Sequence, residues 1–101
     1  MRYVFLAPAR DELNEAVTFY NLRHPGLGDE LASEVEQALE RIERNPVAFP
    51  RLSRHVRRCR IPRFPYSVLY QVREREILVV AVMHLRRDPT YWRNRIAREQ
   101  E

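Results

Sequence analysis

The fold is decided by the stretch Arg58-Cys59-Arg60-Ile61-Pro62-Arg63-Phe64-Pro65-Tyr66-Ser67-Val68-Leu69-Tyr70-Gln71-Val72. It predicts the end of an arginine-rich strand (54–61), a turn through two prolines, and a second, apolar strand. The apolar run 77–83 predicts a central third strand that returns alongside the second. If consecutive strands pair antiparallel, the end of the first, the start of the second and the end of the third lie at one edge.

This pairing predicts that basic and aromatic side chains from three pieces of the chain meet at that edge of the sheet. They are Arg60, Arg63, Tyr66, His84, Arg86 and Arg87. We call this group the basic corner. A function that depends on the surface arginines is expected to centre on it.

The rest of the sequence predicts one strand and two helices before the arginine-rich stretch, and one helix after it. Tyr3–Ala7 is apolar throughout, while Ala9–Leu22 and a stretch from about Gly26 or Leu27 to Arg44 repeat apolar residues at helical spacing, and Asn45-Pro46 ends the second helix. Asp88-Pro89 is typical of an N-cap followed by proline, so a C-terminal helix is expected from about residue 89.

The predicted fold class is therefore α+β, in the order β-α-α-β-β-β-α. The helical hairpin is expected to pack on one face of a mostly antiparallel four-stranded sheet, because neither apolar helix stripe can be buried otherwise. The opposite face, which carries Arg58 and Arg60, is expected to be partly open.

Length and composition limit the possible classes of protein. A chain of 101 residues has room for a single domain. No apolar run approaches a membrane span, and Met1–Leu6 is too short for a secretory signal. The single cysteine, Cys59, cannot form an internal disulfide, which favours the cytoplasm. His24, His55 and Cys59 lack the spacing of metal ligands, so we expect neither a metal nor a cofactor.

Charge is divided unevenly along the chain. Residues 1–50 hold five arginines and nine acidic residues, a formal charge of −4, whereas residues 51–101 hold thirteen arginines and five acidic residues, a charge of +8. The chain has no lysine, and each guanidinium is a planar fork that suits phosphates and carboxylates. The second half therefore favours an anionic partner, either a nucleic acid or an acidic peptide.

Six segments, in their order along the chain, resemble toxins of the RelE/ParE superfamily, which are the toxin halves of bacterial type II toxin–antitoxin pairs. They are Phe19-Tyr20, Pro25-Gly26-Leu27-Gly28, Glu34-Val35-Glu36, Asn45-Pro46, Arg63-Phe64-Pro65-Tyr66 and the run from His84 to Trp92. The resemblance covers residues 3 to about 95. It implies the α+β fold given above, and a hetero-oligomer with a cognate antitoxin whose acidic, disordered C-terminal segment wraps and neutralises the toxin.

The superfamily divides by target, and the resemblance leaves two targets open. ParE-like members poison DNA gyrase by binding it and are not known as nucleases. For that branch the candidate target-binding residues are Arg58, Arg60, Arg63, Arg86 and Arg87. RelE-like members cut messenger RNA in the ribosome, a reaction that needs proton carriers and cations around the phosphate. For that branch the candidate catalytic residues are Arg60, His84, Arg87 and Tyr91.

Two features favour the ParE-like branch. The segment His84-x-Arg86-Arg87 is closer to that branch, and residues 47–55 lack the lysine or glutamate that RelE-like nucleases usually carry there. A third interpretation is a non-catalytic nucleic-acid-binding domain, which the basic half supports and the lack of an aromatic stacking platform in that half disfavours.

Several of these side chains also have a structural interpretation. His84 closes a central strand and is expected to cap a backbone group there. Tyr91 and Trp92 are expected to pin the C-terminal helix to the sheet, and Arg63 to hydrogen-bond the turn carbonyls near Phe64.

Overall fold

The computed structural model describes residues 2–101, except for the side chain of Arg98. The elements in chain order are β1 (Arg2–Phe5), α1 (Ala7–Arg23), α2 (Leu27–Arg44), β2 (Arg57–Arg60), β3 (Tyr66–Val72) and β4 (Glu76–His84). Two short 3-10 turns follow, at Arg93–Arg95 and Arg98–Gln100. The predicted α+β class and the order β-α-α-β-β-β are confirmed. Within the described residues, no helix is long and apolar enough to cross a membrane.

The four strands form one mixed sheet in the order β1-β4-β3-β2. β1 runs parallel to β4, and the other two pairs are antiparallel, so the sheet is mostly antiparallel as predicted. β4 lies inside the sheet and is buried from Ile77 to Met83, which explains its uninterrupted apolar sequence. The register sets Tyr66 opposite His84 and Arg60 opposite Ser67. The ends of β2 and β4 and the start of β3 therefore lie together.

The helical hairpin packs on one face of this sheet. Leu31, Val35 and Ile42 of α2 are almost fully buried, together with Leu13 and Ala16 of α1. They form one core with a set of apolar strand residues, Cys59, Val68, Tyr70, Ile77, Val79 and Val82. Burial of these stripes supplies most of the stability of the helices, because propensity alone leaves helices of this length marginal in water.

The junction between the helices is held by Asn21 and by a close backbone contact at Gly28. Asn21 Oδ1 accepts hydrogen bonds from the N–H groups of Gly26 (3.1 Å) and Gly28 (2.7 Å), so a side chain of α1 caps the start of α2. Gly26 has a φ of 92°, in the left-handed region that glycine tolerates. A Cβ atom on Gly28 would lie 2.0 Å from the carbonyl oxygen of Val17, so only glycine fits there.

The prediction of a C-terminal α-helix is wrong. Asp88 accepts hydrogen bonds from the backbone N–H (2.9 Å) and hydroxyl (2.7 Å) of Thr90, which closes a local turn at the expected helix start. The backbone bonds that follow are of the tighter 3-10 type, such as Arg95 N–H to Trp92 O at 3.0 Å. Trp92 is fully buried, and its indole N–H donates to Pro89 O at 2.6 Å. A tight turn allows the indole ring to be buried and its N–H to reach the carbonyl oxygen of Pro89.

Trp92 also covers the sheet face that the sequence left partly open. It belongs to a second core on the side opposite the helices, with Val56, Leu69 and Val80, each fully buried. Both faces of the central strands are therefore covered, and the exposed arginines of β2 lie at the margin of the second face.

Candidate binding site at the basic corner

The side chains of the basic corner start from one end of the sheet but do not share one environment. Tyr66, His84 and Arg87 line an open groove of about 330 Å³ between α1 and the end of β4. The rings of Tyr66 and His84 meet edge to face, with centroids 5.1 Å apart. The opposite wall is formed by α1, with Glu15, Ala16, Phe19 and Tyr20. Phe19 and Tyr20 of α1 add to Tyr66 an aromatic lining that the sequence alone did not predict.

His84 stabilises the turn that carries the two consecutive arginines. Its Nδ1 accepts a hydrogen bond from the backbone N–H of Arg86 at 3.0 Å. This bond assigns the neutral ring the tautomer with its hydrogen on Nε2. The structural interpretation of His84 as a residue that caps a backbone group is confirmed by this contact. Nε2 is the ring nitrogen left for any ligand in the groove.

Arg60 is bound to the turn between β2 and β3. Its Nη1 donates to the carbonyl oxygens of Phe64 (2.5 Å) and Tyr66 (3.2 Å), and also to that of Ile61. The structural role expected of Arg63 thus belongs to Arg60. One guanidinium nitrogen of Arg60 is already used within the fold.

Arg63 points to the other side of the corner, against α2. It forms ion pairs with Glu30 (2.6 Å) and Glu34 (3.1 Å). The Glu30 hydrogen bond and the charge of Glu34 raise the pKa of Arg63, so the group stays cationic. The prediction that Arg63 binds the turn carbonyls near Phe64 is therefore wrong, because two carboxylates of α2 lie within its reach.

Three arginines remain for contact with a partner. Arg58 and Arg86 are exposed, and no ion pair or side-chain hydrogen bond involves either of them among residues 2–101. Arg87 is also exposed; its guanidinium carbon lies 3.9 Å from the centroid of the Tyr91 ring, and its Nη1 lies 3.8 Å from Glu12 Oε2. Arg87 is therefore held in place while its charge still faces the groove.

Tyr91 is tied to helix α1. Its hydroxyl donates to Glu12 Oε2 at 2.5 Å. Burial, followed by the hydrogen bond and negative charge of Glu12, raises the pKa of Tyr91. A hydroxyl that is held protonated in this way is poorly placed to pass a proton to a substrate.

Glu12 is the residue that the sequence analysis missed. Its two carboxylate oxygens accept hydrogen bonds from both terminal nitrogens of Arg95 (2.8 and 2.9 Å), from Tyr91, and from the backbone N–H of Val82 at 3.1 Å. Burial acts to raise the pKa of Glu12, but the hydrogen bonds from Arg95, Tyr91 and Val82 outweigh it, and the pKa is lowered. The carboxylate is therefore an ion at neutral pH.

A signal for Glu12 was present in the sequence. Glu12, Ala16 and Tyr20 follow each other at four-residue steps, and therefore lie on one line of α1 beside the buried Leu13. An acid on the line that faces the sheet needs a cationic partner there. The sequence could not supply the identity of that partner, because Arg95 lies eighty-three residues further along the chain.

The comparisons with known proteins agree with this geometry. Residues 3–89 match the family model described as the ParE toxin of the type II toxin–antitoxin system parDE. Among solved structures, the fold is similar to a chain of the chromosomal ParDE toxin–antitoxin system from P. aeruginosa, with a TM-score of 0.72 and 17% sequence identity. The match covers 84% of this chain and 96% of that chain. No curated protein matches the sequence significantly.

The family match spans most of the chain, from β1 to the turn that follows β4. In the part of the chain that the structure describes, no three His, Cys, Asp or Glu side chains are grouped so as to hold a metal ion. Because the family model covers residues 3–89, the chain belongs to the ParE toxin family of type II toxin–antitoxin systems.

Proposed function

We propose that this chain arrests bacterial growth by binding and poisoning DNA gyrase in the cytoplasm, and that a cognate antitoxin neutralises it. Membership of the ParE toxin family supports the general role. The choice of gyrase over messenger RNA depends on what the candidate catalytic groups are already bound to.

The observation that carries this choice is that three of the four candidate catalytic residues are engaged inside the fold. His84 Nδ1 accepts from the Arg86 N–H, the Tyr91 hydroxyl donates to Glu12, and Arg60 donates to the turn carbonyls. General acid–base catalysis needs a group within reach of the substrate that can gain or lose a proton easily. These contacts favour a surface that binds a target over one that cuts RNA.

In this proposal the gyrase-binding residues are Arg58, Arg86 and Arg87. Exposed guanidinium groups pair with carboxylates of a protein or with phosphates of the DNA that gyrase holds. Arg60 and Arg63 act indirectly, since they stabilise the turn and the adjacent loop from which this surface is built.

The proposed antitoxin has an acidic, disordered C-terminal segment that folds as it binds. The charge of +8 on residues 51–101 would attract such a segment, and electrostatic attraction would speed association. The toxin and antitoxin would then form a hetero-oligomer in which the basic corner is covered or distorted.

One observation favours the alternative of a ribosome-dependent messenger RNA endoribonuclease. His84, Arg87 and Tyr66 line the same groove, where His84 Nε2 and a guanidinium could face one phosphate. A plain nucleic-acid-binding domain would differ from both of these by the salt dependence of its binding, because binding to phosphates weakens steeply as the salt concentration rises.

The test is to produce the chain without an antitoxin in bacteria and, with purified protein, to run two reactions in parallel. One follows supercoiling and DNA cleavage by gyrase; the other follows the integrity of a defined message on translating ribosomes. We expect growth arrest, inhibited supercoiling and an intact message. A cut message with unaffected gyrase would overturn the proposal in favour of the nuclease, and normal growth with soluble, folded protein would reject both.

A further inference from the structure

Strand β1 is shorter than the strand it pairs with, and this leaves part of a central strand without a neighbour. β1 ends at Phe5, opposite Val79, while β4 continues to His84. The last backbone contact on that side is from Leu6 N–H to Val79 O at 3.0 Å. Leu85 N–H donates to Pro65 O, so by strand alternation the backbone groups of Val82 face away from β3.

Two side chains take the place of the missing strand. Glu12 Oε1 accepts a hydrogen bond from Val82 N–H at 3.1 Å, and Arg95 Nη1 donates to Val80 O at 3.0 Å. Glu12 and Arg95 are joined to each other by two charge-assisted hydrogen bonds, and each side chain is about one-seventh exposed, at 13% and 14%. A bidentate ion pair thus completes the edge of β4 where backbone pairing stops.

The same carboxylate also holds the chain that follows β4. Tyr91 donates to Glu12 Oε2, and Arg87 stacks on the Tyr91 ring while its own charge lies 3.8 Å from that oxygen. Glu12 is therefore the common contact of Val82 in the sheet, of Arg95 in the C-terminal segment and of the exposed Arg87.

We propose that Glu12 is the positioning residue of the basic corner: its carboxylate closes the sheet edge beyond β1 and thereby fixes Arg87 for contact with the target. The proposal rests on the proposed function, because it concerns how one target-binding arginine is oriented. Glu12 also lines the groove, but its two oxygens are occupied by Arg95, Tyr91 and Val82, so its proposed effect on the target passes through Arg87.

The chemistry of the site requires a charged carboxylate of this length. A glutamine at position 12 keeps one oxygen for Val82 N–H, but it loses the ionic attraction to Arg95 and Arg87. An aspartate keeps the charge and shortens the reach by one methylene group. We therefore expect Glu12→Asp to restore part of the function that Glu12→Gln loses.

The experiment measures gyrase inhibition by the wild type, Glu12→Gln, Arg87→Ala and the double variant. The matched control is Asp11→Asn, which removes the same charge from the exposed neighbouring residue of α1. We expect Glu12→Gln to raise the half-inhibitory concentration on the order of tenfold, and the double variant to be no weaker than Arg87→Ala alone, because both changes remove one interaction. Wild-type potency in Glu12→Gln, or additive losses in the double variant, would overturn the proposal.

A second readout separates this proposal from the proposed function. Hydrogen exchange of the Val82 amide and the NMR signal of the Arg87 Nε–H are measured in folded protein, without gyrase. In Glu12→Gln we expect faster Val82 exchange and an averaged Arg87 signal, with the amide of Val35 in the middle of α2 unchanged. If wild-type protein leaves gyrase active, the proposed function fails, and these two signals still decide whether Glu12 fixes Arg87.

A milder variant, Tyr91→Phe, tests the same contact if Glu12→Gln does not fold. Tyr91→Phe removes only the hydroxyl, so it should loosen Arg87 and leave Val82 exchange at the wild-type rate. An unchanged Arg87 signal in both variants would overturn the proposal.

Discussion

At the scale of single residues, the arginines of this chain divide into those the fold uses and those it leaves exposed. The turn between β2 and β3 contains Pro62 and Pro65, which have no N–H to donate. The carbonyl oxygens of Phe64 and Tyr66 each accept one backbone N–H, from Tyr66 (2.8 Å) and Ile61 (2.9 Å). Arg60 adds a charged donor to both of them and to the carbonyl oxygen of Ile61. All three contacts come from one terminal nitrogen, Nη1, whose two hydrogens are shared among the three carbonyl oxygens.

This assignment predicts that Arg60→Ala destabilises the protein. Loss of these hydrogen bonds from a charged donor should lower the free energy of unfolding by about 1.5 kcal/mol, the lower end of the range for charged donors, because Arg60 is exposed and Phe64 O and Tyr66 O keep backbone partners. Urea denaturation followed by the fluorescence of Trp92, the single tryptophan, measures the change.

The matched control is Arg58→Ala, two residues earlier on the same strand, where the side chain is exposed. A surface substitution of this kind should stay within about 0.5 kcal/mol of the wild type. Equal midpoints for the two variants would contradict the assignment. Loss of toxicity in Arg60→Ala would then have to be explained by direct target contact.

At the scale of secondary-structure elements, the angle of the helical hairpin depends on one glycine. Gly28→Ala would place a Cβ atom 2.0 Å from the Val17 carbonyl oxygen, so α1 and α2 would have to move apart. We expect a loss of about 1–3 kcal/mol in the free energy of unfolding, in the range measured for overpacking. Thermal or urea unfolding, compared with Ser33→Ala on the exposed face of α2, tests this expectation. A midpoint equal to that of the control would show that the helices can separate without cost.

The elements with a strong local pattern were predictable from sequence, and those fixed by distant contacts were not. α2 was predicted from its three- and four-residue apolar steps and its Asn45-Pro46 end, with a start at Gly26 or Leu27, and the structure has it at Leu27–Arg44. β4 was predicted from its apolar run within one residue at each end. The parallel pairing of β1 with β4 has no local signal, because it joins residues more than seventy positions apart.

The C-terminal segment shows why a correct local signal can give a wrong element. Asp88-Pro89 is a good helix start, and Asp88 does accept the expected hydrogen bond from Thr90. Burial of Trp92 and the bond of Arg95 to Glu12 then set the path of the chain, and both are tertiary contacts. At the site, sequence patterns predicted which strand ends meet, but not that Arg60 would bind the turn carbonyls and Arg63 the carboxylates of α2.

At the scale of the whole molecule, the fold neutralises part of the positive charge that the sequence concentrates in its second half. Acidic residues of the two helices reach the basic half: Glu30 and Glu34 pair with Arg63, and Glu12 with Arg95. The charge of +8 on residues 51–101 therefore overstates what a partner meets at the corner. The proposed contact surface is the smaller set of Arg58, Arg86 and Arg87, which favours a specific protein–DNA target over general attraction to nucleic acid.

The most direct test of this account is gyrase supercoiling in the presence of the double variant Arg86→Ala/Arg87→Ala. Its matched control is Arg73→Ala/Arg75→Ala, which removes the same charge from exposed residues in the turn between β3 and β4, at the other end of those strands. We predict that the corner variant stays folded and loses inhibition by at least about tenfold, while the control inhibits like the wild type. Full inhibition by the corner variant, or an equal loss in both variants, would contradict the claim that the basic corner binds the target.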